Sequence, residues 1–250
     1  MTPPLSARKQ DATCGLVVQA RVSSKRLPGK TLRKIGSRSL LECVIARLRP
    51  WCADNGIPLR IATSRRKEDD ALETLCGQLD IPCFRGELED VAARLLALAL
   101  DEGWKGIIRI SGDSPFIDPR VVGRALKAFT AGRQDIVTNV HPRSFPPGQS
   151  VEIFRTETLS QTHADMTEEE REHVGLHFYR NEKSFHILNL DSGTVQASFP
   201  RMTVDTLEDE NRMARLMAAL GGDAGDLPWE ELVLLLKERD ARVPSELCCT

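Results

Sequence analysis

The stretch Cys14-Gly15-Leu16-Val17-Val18-Gln19-Ala20-Arg21-Val22-Ser23-Ser24-Lys25-Arg26-Leu27-Pro28-Gly29-Lys30 joins a short apolar run to a loop of cations. Leu16-Val17-Val18, bounded by Gly15 and polar residues, suits a buried strand better than a helix. Downstream, Ser39 with Glu42 has capping-box form, and Leu40, Leu41, Val44, Ile45 and Leu48 follow with helical spacing. The alternation then repeats: strand 59–63, helix 68–79, strand 82–84, helix 90–100 and strand 106–110. Strands that alternate with helices predict an open, mostly parallel α/β sheet flanked by helices.

Further on, Asp118-Pro119 is a helix start, with Asp as the cap and Pro in the first turn. Strands are expected at 136–140, 151–154, 185–190 and 201–204. Helices are expected at about 168–181, from Glu208, and over 228–237. Residues 1–13 are polar with two prolines and are expected to form a disordered tail. Residues 14–250 are then one domain, with a lid or insertion at about 141–183.

A chain of 250 residues, 41% hydrophobic and 28% charged, has the composition of a globular domain, which excludes a disordered or fibrous chain. The net charge of -2 excludes a general nucleic-acid or membrane-surface binder, so any anion site must be local. Seven cysteines, Cys248 and Cys249 among them, form no CxxC pair and indicate neither zinc nor a disulfide framework. Free thiols and the lack of a signal-type or membrane-spanning apolar run lead us to expect a cytoplasmic protein.

Ligands of open α/β sheets sit beyond the carboxyl ends of the strands, where the loop after the first strand lies. Arg21, Lys25, Arg26 and Lys30 supply cations there, while Ser23, Ser24 and Gly29 let backbone amides turn toward an anion. This is the composition of a triphosphate cradle. Neither the Walker pattern nor GxGxxG is present.

The order QARxxSxRLPGKxL from Gln19 to Leu32 resembles the signature of cytidylyltransferases that make CMP-activated acidic sugars, closest to the spore-coat polysaccharide subfamily. The similarity continues through Ala62-Thr63-Ser64, Phe84-Arg85-Gly86, Glu89-Asp90-Val91 and Arg109-Ile110-Ser111-Gly112-Asp113-Ser114-Pro115. Arg171-Glu172-His173-Val174 with Tyr179, and Arg201 to Thr206, extend it.

The resemblance implies a nucleotide-diphospho-sugar transferase (glycosyltransferase-A-like) fold, CTP as donor, magnesium as cofactor and a possible homodimer. It implies nucleotide binding by Gln19, Ala20, Arg21, Ser24, Arg26, Lys30, Thr63, Ser64, Arg85 and Ser111. Lys30 and Arg21 are the candidates for stabilising charge during transfer. Asp113 and Asp205, each expected at a strand end, are the implied magnesium ligands; two carboxylates with phosphate oxygens and water suffice for that ion.

Glu152, Arg171, His173 and Tyr179 are candidates for the acceptor pocket, with Arg85 considered there too. Arg109 reads as the partner of a buried carboxylate. The expected reaction is transfer of CMP to a small acidic acceptor, an acidic sugar or a phosphonate or phosphate. Pro147 and Ser150 stand where the family carries acidic residues, and Gly175 and Leu176 replace its usual Thr-Pro. A less acidic pocket that favours a compact anion is the expected consequence. A glycosyltransferase would present Asp-x-Asp where Gly112-Asp113-Ser114-Pro115 stands, and a non-catalytic nucleotide-binding regulator would have lost Lys30 or an aspartate.

Overall fold

The computed structural model describes residues 13–24, 26–194 and 199–240, so Lys25, most of the expected tail, Cys248 and Cys249 lie outside the described residues. The first half runs β1 (Cys14–Gln19), β2 (Lys34–Ile35), β3 (Arg38–Ser39), α1 (Leu40–Asp54), β4 (Leu59–Ser64), α2 (Asp70–Gln78), β5 (Cys83–Gly86), α3 (Val91–Glu102) and β6 (Gly106–Ser111). The second half runs α4 (Pro119–Ala131), β7 (Ile136–Thr138), β8 (Glu152–Arg155), α5 (Thr156–Thr162), α6 (Glu168–Glu172), α7 (Gly175–Arg180), β9 (Ile187–Asn189), α8 (Leu207–Ala219) and α9 (Trp229–Asp240).

Seven strands form one sheet in the order β5-β4-β1-β6-β8-β7-β9. All pairings are parallel except those of β8, which runs against both neighbours. Helix-covered parallel strands are buried on both faces, which is why Leu16, Val17 and Val18 are all apolar. Leu16 and Val18 pack with Ile61, Ile108, Leu41 and Val44 on one face. Val17, Ala62, Ile107, Ile136 and Phe154 pack with Val91, Leu95 and Phe178 on the other.

Local signals hold at the helix starts. Ser39 accepts from Glu42 N while the Glu42 carboxylate accepts from Ser39 N, and Asp118 accepts from Arg120 N ahead of Pro119. Two expectations fail. The charged segment 168–181 breaks at His173-Val174 into α6 and α7. Residues 201–204 form no strand, because Met202 N donates to Pro147 O (2.8 Å) and Val204 N to Asp113 O (3.0 Å), and these turn carbonyls replace a ladder partner. The segment 141–183 supplies β8 to the interior of the sheet as well as α6 and α7.

Gly15 of β1 packs against buried Trp104, and an added Cβ would lie 2.3 Å from ring carbons of that indole. Gly15→Ala is expected to lower stability by about 1–3 kcal/mol through overpacking, read by chemical denaturation. A change within about 0.5 kcal/mol would contradict this packing.

Candidate active site

The loop after β1 folds back on itself. Gly29 takes φ 69°, a left-handed conformation that favours glycine, and its N–H donates to Val22 O (3.0 Å). Thr31 Oγ1 donates to Arg21 O (3.2 Å), which closes the loop with Arg21, Ser23, Ser24, Arg26 and Lys30 along one cavity. The start of this loop is clasped by Asp69, 1% exposed. Its carboxylate accepts from Val22 N (2.7 Å), Ser64 N (3.1 Å) and the Ser64 hydroxyl.

The cavity, about 480 Å³, lies across the carboxyl ends of β1 and β6, and Gln19, Ala20, Arg109, Ser111, Asp113 and Asp205 also line it. At one end Lys30 Nζ donates to Asp113 Oδ2 (2.9 Å), Asp205 Oδ1 (3.0 Å) and Val204 O (3.1 Å). Arg26 Nη2 lies 2.9 Å from Asp205 Oδ1 and Arg201 Nη2 2.7 Å from Asp205 Oδ2. Burial alone would raise the Asp205 carboxyl, but the hydrogen bond and charge of Lys30, with Arg26 and Arg201, hold it below the usual carboxylate range.

Two carboxylates that already share one cation within 3 Å fit a magnesium ion, which needs few protein ligands when phosphate oxygens complete its shell. Among the described residues no group of three or more His, Cys, Asp or Glu side chains forms a metal cluster. Asp205 does not end a strand as expected; it reaches the site from the irregular segment before α8, whose cap is Thr206 with Asp209.

The cavity brings together Gln19, Ala20, Arg21, Ser24, Arg26, Lys30, Ser111, Asp113, His173 and Asp205. It does not include Thr63, Ser64 or Arg85. Thr63 is fully buried, the Ser64 hydroxyl is taken by Asp69, and Arg85 points to α2 through Asp70 (2.6 Å) and Glu73 (2.7 Å). Arg171 faces Asp90 (3.9 Å) and Ala164 O instead of the cavity. Glu152 and Tyr179 lie behind its wall: the Tyr179 hydroxyl donates to Glu152 Oε1 (2.7 Å), and Arg109 pairs with Glu152, the buried carboxylate expected for it.

Pro147 and Ser150 do not line the cavity either. Pro147 O accepts from Met202 N, and Ser150 Oγ accepts from Arg143 (3.1 Å), so the expected route from these two residues to a less acidic pocket is absent. Glu172, which pairs with Arg21 at 3.0 Å, was not among the expected site residues, although it adjoins His173 in the motif that pointed there. Asp69 left no signal, because two of its three partners are backbone amides.

Sheet order and cavity together define a nucleotide-diphospho-sugar transferase fold. A sequence profile described as cytidylyltransferase matches residues 16–221. The spore coat polysaccharide biosynthesis protein SpsF of Bacillus subtilis is 30% identical over 226 residues, 88% of this chain and 92% of that protein. A cytidylyltransferase from Leptospira borgpetersenii superposes with a TM-score of 0.85 at 25% identity, covering 92% of this chain and 96% of that one. A CMP:2-keto-3-deoxy-manno-octonic acid synthetase complexed with CTP shares the fold at a TM-score of 0.63 and 18% identity, over 84% of this chain and 100% of its own. The chain belongs to the cytidylyltransferase family. Among the described residues no helix is long and apolar enough to cross a membrane.

The Asp69 clasp makes a specific prediction. Asp69→Ala removes both acceptor oxygens and leaves the Val22 and Ser64 N–H groups unpaired, which costs about 1–3 kcal/mol for each. The Val22 and Ser64 amides should then exchange with solvent faster while those of Val17 and Val18 stay protected. Unchanged exchange at Val22 would show that the loop is held by other contacts.

Proposed function

We propose that this chain transfers CMP from CTP to a small acidic acceptor and releases pyrophosphate, with magnesium as the working metal. The observation that carries the reading is the convergence of Arg21, Arg26 and Lys30 with Asp113 and Asp205 on one cavity. Such a transfer needs fixed cations and alignment rather than a covalent nucleophile. Asp113 and Asp205 would hold magnesium, which supplies charge to the phosphate oxygens when bound.

Lys30, 3 Å from both carboxylates, is the ammonium that neutralises the phosphate nearest them. Arg21, on the Glu172 side, and Arg26, two-thirds exposed at the cavity mouth, are placed to meet the remaining phosphate charge. A cation that only neutralised bound CTP would tighten binding without speeding the step, so Lys30 acts chiefly as charge develops in transfer. Segment 141–183 serves as the lid through Glu172 and His173. Likeness to a CMP:2-keto-3-deoxy-manno-octonic acid synthetase and to a spore coat polysaccharide biosynthesis protein supports a sugar acid over a phosphonate or phosphate ester as acceptor. The turn after β6 carries the single Asp113, which does not favour a glycosyltransferase.

With magnesium present, CTP should raise the melting temperature more than ATP, GTP or UTP, because a ligand of the native state shifts unfolding by mass action. Equal shifts from all four would remove the cytidine assignment. Pyrophosphate release from CTP across a panel of sugar acids, phosphonates and phosphate esters should appear with at least one acceptor, and Lys30→Met should lower that turnover by about 10²–10³-fold. Lys30→Met at wild-type turnover would refute its role.

A further inference from the structure

Behind the cavity a belt of polar side chains crosses one sheet face in register. Arg109 of β6 pairs with Glu152 of β8, and Glu152 with Thr138 of β7, while Gln19 of β1 lies two residues along from Val17, the partner of Arg109. The side chains form a chain of fixed direction. Tyr179 donates its one hydroxyl hydrogen to Glu152 Oε1 (2.7 Å), so the Thr138 hydroxyl is the donor to Tyr179 (2.8 Å), while Thr138 Oγ1 accepts from Val140 N (3.2 Å). The other Glu152 oxygen accepts from Arg109 Nη1, and Arg109 Nε donates to Gln19 Oε1 (2.9 Å).

No link can reverse. A guanidinium only donates and an ionised carboxylate only accepts. Burial, then the Glu152 charge, push the Tyr179 phenol well above its ordinary value, so it stays a donor. Gly175 leaves the room this requires, since a Cβ there would lie 2.2 Å from Glu152 Oε1.

The consequence falls on Gln19. With its carbonyl held by Arg109 the amide cannot flip, so its NH₂ is a donor of fixed sense at the cavity that Gln19 lines. The hydroxyls of Ser23, Ser24 and Ser111 can turn to donate or accept, and Ala20 N and Gly112 N are bonded to Ala62 O and Gln19 O. A donor of fixed sense distinguishes pyrimidines: N3 of cytosine accepts, whereas N3 of uracil carries a hydrogen. Gln19 stands two residues before Arg21, where the triphosphate loop begins, so a nucleoside joined to that triphosphate is within its reach.

We infer that Gln19, locked by Arg109, Glu152 and Tyr179, is the residue that selects cytosine over uracil. Arg109 is a positioning residue and not a catalytic one. The inference rests on the CTP reading above and goes beyond it in assigning the selectivity.

Titration calorimetry with CTP and with UTP, each with magnesium, tests it. The unsubstituted protein should bind CTP about 10–100-fold more tightly. Gln19→Glu keeps an oxygen for Arg109 but removes the donor, and should abolish or invert the CTP to UTP ratio. The double variant Arg109→Met with Glu152→Gln frees the amide to flip without leaving a buried charge, and should bring the ratio toward one. Melting curves of both variants establish that they are folded, and if the double variant is not, Tyr179→Phe takes its place with a smaller fall in the ratio. A ratio unchanged in folded variants, or equal binding of CTP and UTP by the unsubstituted protein, overturns the Gln19 assignment alone. Binding of neither nucleotide overturns the CTP reading with it.

Discussion

Lys30 holds together three parts of the chain that are far apart in sequence. Its ammonium joins the loop after β1 to Asp113, after β6, and to Asp205, before α8. The side chains of the three are 14%, 20% and 12% exposed, so the charges are poorly hydrated and each depends on the others. Val204 N donating to Asp113 O ties the same two segments through the backbone. A carboxylate met by Lys30, Arg26 and Arg201 is compensated beyond its own charge, and that excess of cations is available to an anion entering the cavity.

The sheet explains why this chemistry gathers at one end. Ile107, Phe154 and Ile136 make an apolar row under α3 and α7, and the polar row of Arg109, Glu152 and Thr138, level with Val17 and followed by Gln19, comes next along the same face toward the cavity. Antiparallel β8 makes the belt continuous, because it brings Glu152 between Arg109 and Thr138. A buried carboxylate in that position is tolerated because Arg109 and the Tyr179 hydroxyl share it.

What could be read from the sequence was local. The apolar run of β1, the capping box at Ser39 and the Asp118-Pro119 start each depend on neighbours within a few residues, and each forms as expected. The cationic loop and the Gly-Asp turn were legible for the same reason, and the structure brings them together. Thr63, Ser64 and Arg85 were misplaced because distant partners decide their direction: Asp69 claims the Ser64 hydroxyl, and Asp70 and Glu73 draw Arg85 away. Met202 and Val204 have the alternation of a strand, yet their amides are taken by carbonyls of two turns that lie next to them only in the folded chain. Asp69 was invisible, since its clasp depends on position rather than on the identity of its partners.

In the proposed reaction Asp113 and Asp205 would seat a divalent cation that arrives with CTP, at the place where Lys30 bridges them in the free protein. Paramagnetic resonance of manganese, titrated in the presence of CTP, tests it directly. One protein-bound ion per chain is predicted, lost in the double variant Asp113→Asn with Asp205→Asn and retained in Lys30→Met, which keeps both carboxylates. Manganese bound as tightly by the double asparagine variant as by the unsubstituted chain would contradict the assignment of Asp113 and Asp205 as the metal's seat.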